Sequence, residues 1–154
     1  MASGEDAPWL RPHARSRLKR HLRSSLLNLL PRLERRAAVR SFSAPEALRD
    51  KLSRDPKFIL SGVSASDHYA MRMVLPGILE GYYPKREMSE IEHRYALENV
   101  GEHEANLVVH VLDHELAIGS RRFMPKAVAA ADLAESADER TRRVGEQFLS
   151  SVTR

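Results

Sequence analysis

Apolar positions along this chain follow two periods, and the change from one to the other divides it. Between Trp9 and Leu30 the leucines Leu18, Leu22, Leu26 and Leu29/Leu30 recur at spacings of four and three. That spacing places them on one stripe of an amphipathic helix. Pro31 interrupts it, since proline inside a helix costs about 3 kcal/mol, and Arg32 to Arg40 is predicted to form a second short basic helix. Ser43-Ala-Pro-Glu46 carries the hydroxyl, proline and carboxylate of a capping box. It predicts a helix to about Arg54, stopped where Asp55 precedes Pro56. Residues 1–8, small, polar and ending in proline, read as a disordered tail.

Beyond Pro56 short apolar runs alternate with helical spacing. Phe58-Ile-Leu60 and Ile78-Leu-Glu-Gly-Tyr-Tyr83 read as strands, as does the β-branched run Asn106 to Leu112. Leu116 to Ile118 is a further candidate. Helices are predicted over Ala65 to Met73, after Pro84 with Met88, Ile91 and Tyr95 on its apolar face, and from Pro125 through KAVAAADLAES. A last one begins near Asp138, with Val144, Phe148 and Val152 aligned. Strands alternating with helices give an α/β (or α+β) fold with a small three- to four-stranded sheet and packed helices. The expected organisation is a tail at 1–8, a basic helical arm at 9–55 and an α/β regulatory domain at 56–154.

Charge sharpens that division. Residues 1–54 hold 13 Lys and Arg against 5 Asp and Glu, a balance of +8, whereas residues 55–154 hold 12 against 16, a balance of −4. Such asymmetry marks a polyanion-binding arm. Arginine suits bidentate contacts to phosphate, and the cations expected to make them are Arg15, Lys19, Arg20, Arg23, Arg35 and Arg36. Leu18, Leu22 and Leu26 are the corresponding candidates for contact with a protein partner. An amphipathic helix lying on an anionic membrane is a further reading of the same stretch.

Composition removes several chemistries. The chain has no cysteine, which excludes disulfides, thiolate nucleophiles and Cys-ligated metal. No apolar run reaches the roughly 18–20 residues of a membrane span, and the start, MASGEDAPWLRPHARS, lacks the pattern of a secretory signal. A cytoplasmic location is expected.

No complete catalytic constellation is visible. His93, His103, His110 and His114 lie near Glu102, Glu104, Asp113 and Glu115. They follow no zinc-ligand order, and they read as surface or half-buried histidines in an acidic region. Neither a Gly-rich phosphate loop nor a nucleophile elbow occurs. Ser61-Gly-Val-Ser64 between a strand and a helix, with Glu80 on the next strand, has the layout of a minimal nucleotidyltransferase. Two-metal transfer there needs a second carboxylate two positions on, where this chain has Tyr82. The reading leans away from an enzyme, with no cofactor and no metal expected.

Four segments in order, Phe58-Ile-Leu-Ser-Gly-Val-Ser-Ala65, Leu79-Glu-Gly-Tyr-Tyr-Pro84, Glu98-Asn-Val…Asn106-Leu-Val-Val-His-Val111 and Phe123-Met-Pro-Lys-Ala-Val-Ala-Ala-Ala-Asp-Leu-Ala-Glu135, carry a resemblance. Over roughly residues 56–150 the chain resembles the C-terminal domain of type IV toxin–antitoxin antitoxins of the abortive-infection class and related bacterial transcriptional regulators. The resemblance implies a repressor-like regulator that counters a nucleotidyltransferase-type toxin. In that family a winged helix binds promoter DNA, and residues 1–55 show no recognisable wing hairpin. The resulting expectation is a non-enzymatic, antitoxin- or repressor-like protein whose arm binds nucleic acid, duplex DNA above all, and whose domain binds a protein partner such as a cognate toxin. The alternatives are a degenerate nucleotidyltransferase-like enzyme and an interaction module docking through its N-terminal helix.

Overall fold

A computed structural model describes residues 37–73, 75–113 and 121–152. Its centre is a four-stranded mixed sheet built from β1 (Ala38–Phe42), β2 (Ile59–Leu60), β3 (Leu79–Pro84) and β4 (Leu107–Leu112), in the order β1-β4-β3-β2. β3 and β4 run parallel, with Tyr82 opposite His110. Parallel neighbours need a crossover connection, here the helix α3 (Lys85–Tyr95). The outer strands β1 and β2 pair antiparallel to β4 and β3.

Because side chains alternate along a strand, the sheet has two distinct faces. Leu79, Tyr83, Leu107, Val109 and Val111 point to one, where α1 (Glu46–Arg54) supplies Leu48 and Leu52 and α3 supplies Met88. Phe42 and Phe58 complete this core, and every one of these side chains is buried. The opposite face carries Glu80, Tyr82, His110 and Leu112. On that side lie the single turn α2 (Gly62–Ala65) and the helix pair α4 (Lys126–Ala134) and α5 (Glu139–Val152). Buried Ala129, Ala130, Ala131 and Ala134 keep α4 thin enough to pack closely on α5. The result is the expected α/β fold, with its sheet between two helical layers.

Several local expectations change. Residues 38–40, placed by the sequence in a second basic helix, form β1 instead: alternation of Ala38, Arg40 and Phe42 fits the edge of a sheet. Among the described residues, β1 and α1 thus pack with the sheet, although both lie upstream of the boundary expected after residue 55. Helix α1 follows Ser43-Ala-Pro-Glu46 as expected, but Pro45 is its N-cap residue and no side chain caps it. The helix expected over Ala65 to Met73 is replaced by turns. Ala70 and Arg72 both take positive φ, which α-helix does not admit, and the Ser66 hydroxyl bonds back to the Met73 carbonyl. In α5, Val144 and Phe148 flank a buried line through Thr141, Gly145 and Leu149. The strand expected at 116–118 lies outside the described residues. No described helix is long and apolar enough to cross a membrane.

Candidate functional site

Three largely apolar segments each bury one carboxylate or imidazole: Glu80 in β3, His110 in β4 and Asp132 in α4. The fold brings these three together. Parallel pairing sets His110 beside Tyr82, and the rings stack with centroids 4.5 Å apart and an interplanar angle of 13°. Glu80 lies two residues before Tyr82 and so on the same face. Its Oε1 stands 3.0 Å from His110 Nε2. From the opposing helical layer Asp132 brings Oδ1 to 3.9 Å from that same nitrogen. All three residues are buried.

Each carboxylate is fixed by further donors. The Tyr82 hydroxyl donates to Asp132 Oδ1 at 3.0 Å, and the Ser61 hydroxyl donates to Oδ2. Glu80 Oε2 accepts the backbone N–H of Val63 at 2.9 Å. The Glu80 N–H in turn donates to Ser64 Oγ at 2.8 Å, and the Ser61 N–H donates to the Glu80 carbonyl at 3.1 Å. Gly62 makes this junction feasible: its φ is +48°, and a Cβ there would lie 1.9 Å from Glu80 Oε2.

The cluster forms the floor of a cleft of about 790 Å³. One wall comes from the sheet, with Val39, Ser41 and Val108; the other comes from the α4–α5 junction, with Ala134 to Asp138 and Arg142. Among the described residues of its lining, Glu80, Glu102, Asp132, Glu135 and Asp138 supply carboxylates and Arg142 a guanidinium. The hydrogen bonds from the Thr141 hydroxyl and N–H hold the Asp138 carboxyl below its ordinary range. The described lining thus mixes apolar side chains such as Val63, Ile78 and Val108 with carboxylates.

The candidates of the sequence reading fall in different places. Arg15, Lys19, Arg20, Arg23, Arg35 and Arg36, with Leu18, Leu22 and Leu26, lie outside the described residues. Arg40, another cation of that stretch, belongs to β1 and forms an ion pair with Glu92 of α3. Ser61, Gly62, Ser64 and Glu80 do converge, but Ser61 is fully buried and its hydroxyl is committed to Asp132. Among the histidines, His93 and His103 are exposed. His110 departs from the expected surface or half-buried position: β4 is a central strand covered on both faces, so His110 is buried.

The cluster is not legible in the sequence because its members are not spaced as ligands of one local motif. Glu80 and His110 are 30 residues apart and meet only through the β3–β4 register. Asp132 arrives from another layer. The available signal was the isolation of each group within an apolar run, where an ionisable side chain needs a buried partner. No protein-family model matches the chain, and no curated protein or solved structure matches it.

Proposed function

We propose that this protein is a non-enzymatic regulator of the bacterial cytoplasm, antitoxin- or repressor-like. Its N-terminal basic segment binds nucleic acid and its α/β domain binds a protein partner. The observation that carries this reading is the segregation of charge, +8 over residues 1–54 against −4 over residues 55–154. Arg15, Lys19, Arg20, Arg23, Arg35 and Arg36 neutralise backbone phosphates and release their counterions. The carboxylate-bearing cleft offers the domain a surface for a partner's cations. The partner implied by the resemblance is a nucleotidyltransferase-type toxin.

Retardation of duplex DNA by the full chain tests the reading. Affinity is expected to fall about 1,000-fold between roughly 50 and 200 mM salt if six phosphates are contacted. The triple variant Lys19→Glu, Arg20→Glu, Arg23→Glu should abolish retardation. Unchanged retardation by that variant would refute the proposed role of the arm.

The convergence of Ser61, Gly62, Ser64 and Glu80 favours a second reading, a nucleotidyltransferase-like enzyme. It predicts incorporation of labelled nucleotide with Mg²⁺, lost in Glu80→Gln. The commitment of Ser61 to Asp132 and the presence of Tyr82 in place of a second carboxylate weigh against it. A docking role for the leucine stripe predicts that Leu22→Asp with Leu26→Asp abolishes partner capture.

A further inference from the structure

We infer that Glu80, His110 and Asp132 form a binding site for one divalent first-row transition ion, with Zn²⁺ and Mn²⁺ the best fits to the donors. The inference rests on the cluster alone and is independent of the nucleic-acid reading.

Spacing is the first argument. Glu80 Oε1, His110 Nε2 and Asp132 Oδ1 lie within 4.8 Å of one another. Two ligands each about 2.1 Å from an ion stand about 3.0 Å apart when cis in an octahedron and about 3.4 Å apart in a tetrahedron. The observed separations from His110 Nε2, 3.0 Å to Glu80 and 3.9 Å to Asp132, bracket those values. Small side-chain rotations would therefore let the three atoms converge on one ion.

Charge is the second. The side chains of Glu80, His110 and Asp132 are 11%, 4% and 0% exposed. Ionised groups are costly to remove from water, and this buried cluster sets two carboxylates beside one imidazole, a donor set that a divalent ion takes.

Behind the ligands lies a further layer of hydrogen-bond donors. Metal-binding carboxylates are oriented by hydrogen bonds from outer groups. Here the Ser61 and Tyr82 hydroxyls orient Asp132, and the Val63 N–H orients Glu80. The cleft above supplies a route of entry and room for water in the remaining coordination positions. Two oxygens and one imidazole nitrogen suit Zn²⁺ and Mn²⁺ better than soft, thiolate-seeking ions. Such an ion would tie β3 and β4 to α4, and so fix the helical layer that forms one cleft wall.

Titration calorimetry of the full chain, first stripped with chelator, tests the site with Zn²⁺, Mn²⁺ and, as a hard comparator, Mg²⁺. One equivalent of Zn²⁺ or Mn²⁺ should bind, and either ion should raise the melting temperature. Binding should disappear in His110→Gln and persist in His103→Ala, which alters the cleft's exposed histidine. Ser61→Ala keeps all three ligands and should weaken binding about 10- to 100-fold, so it covers the case in which His110→Gln fails to fold. The site is refuted if the stripped protein binds neither Zn²⁺ nor Mn²⁺. Full affinity in folded His110→Gln or in Ser61→Ala, or loss of binding in His103→Ala, would also overturn it.

Discussion

The carboxylate of Glu80 occupies the space that a side chain at Gly62 would need. A Cβ on Gly62 would lie 1.9 Å from Glu80 Oε2 and 2.1 Å from Cδ, on a backbone with φ of +48°. Left-handed backbone costs an L-residue about 1–2 kcal/mol. Displacing Glu80 would also break its bonds to the Val63 N–H and His110. Gly62→Ala should therefore destabilise the fold by about 2–4 kcal/mol. Gly62→Asn separates the two causes in urea denaturation, since asparagine tolerates positive φ but retains the clashing Cβ. Recovery of wild-type stability by asparagine would show that Glu80 does not depend on the gap.

The strands that position this contact were readable because their periodicity is simple. Leu107 to Leu112 is β-branched and apolar around one histidine, which suits a central strand covered on both faces. The Ala65–Met73 segment misled for an equally physical reason. Tyr69 and Met73 have helical spacing, but Ala70 and Arg72 lie at positive φ, and nothing in an alanine or arginine signals that conformation. The candidate site was legible only in part: Ser61, Gly62, Ser64 and Glu80 come from adjacent segments, while His110 and Asp132 depend on sheet order and layer packing.

Gly145 sets local propensity against tertiary packing. Alanine is favoured over glycine in a helix interior by about 1 kcal/mol. At this position, however, a Cβ would stand 2.3 Å from the Ala134 nitrogen and 2.6 Å from the Ala130 carbonyl oxygen. Both are backbone atoms of the packed α4 segment and cannot swing aside. Overpacking of this kind costs about 1–3 kcal/mol, so Gly145→Ala should lower the urea midpoint despite the gain in propensity. A raised midpoint would mean that α4 and α5 separate more readily than their alanine contacts suggest.

Tyr83 confers a dependence on alkaline pH. Burial raises its phenol well above the ordinary value of 10.0; its hydrogen bond to Asp55, at 2.7 Å, and the nearby charges of Asp55, Glu87 and Glu90 add to the shift. The folded protein thus holds this proton more tightly than the unfolded chain. Its contribution is fully present below about pH 10 and is lost as pH rises through the folded value. A difference titration of phenolate absorbance, wild type minus Tyr83→Phe, should show one phenol that ionises late. The same substitution should flatten the alkaline fall in stability. A difference curve centred at the ordinary tyrosine value would contradict the buried hydrogen bond.

Asn106 joins the segment after β1 to the start of β4. Its Oδ1 accepts the Ala44 N–H at 2.7 Å and its Nδ2 donates to the Ala44 carbonyl at 3.0 Å. One side chain thereby reproduces the paired bonds of an antiparallel ladder, just where Phe42 ends β1. Ala44 is buried, so its amide would lose both partners in Asn106→Ala. An unsatisfied buried group costs about 1–3 kcal/mol, and the expected loss of stability is about 2–4 kcal/mol. Asn106→Asp keeps the acceptor but replaces the donor with an oxygen facing the Ala44 carbonyl. It should therefore be destabilising at neutral pH and recover in part near pH 4, where a protonated carboxyl can donate again. Hydrogen exchange at the Ala44 amide provides the local readout: exchange should accelerate in Asn106→Ala, and unchanged protection would show that the amide is held by something other than this clamp.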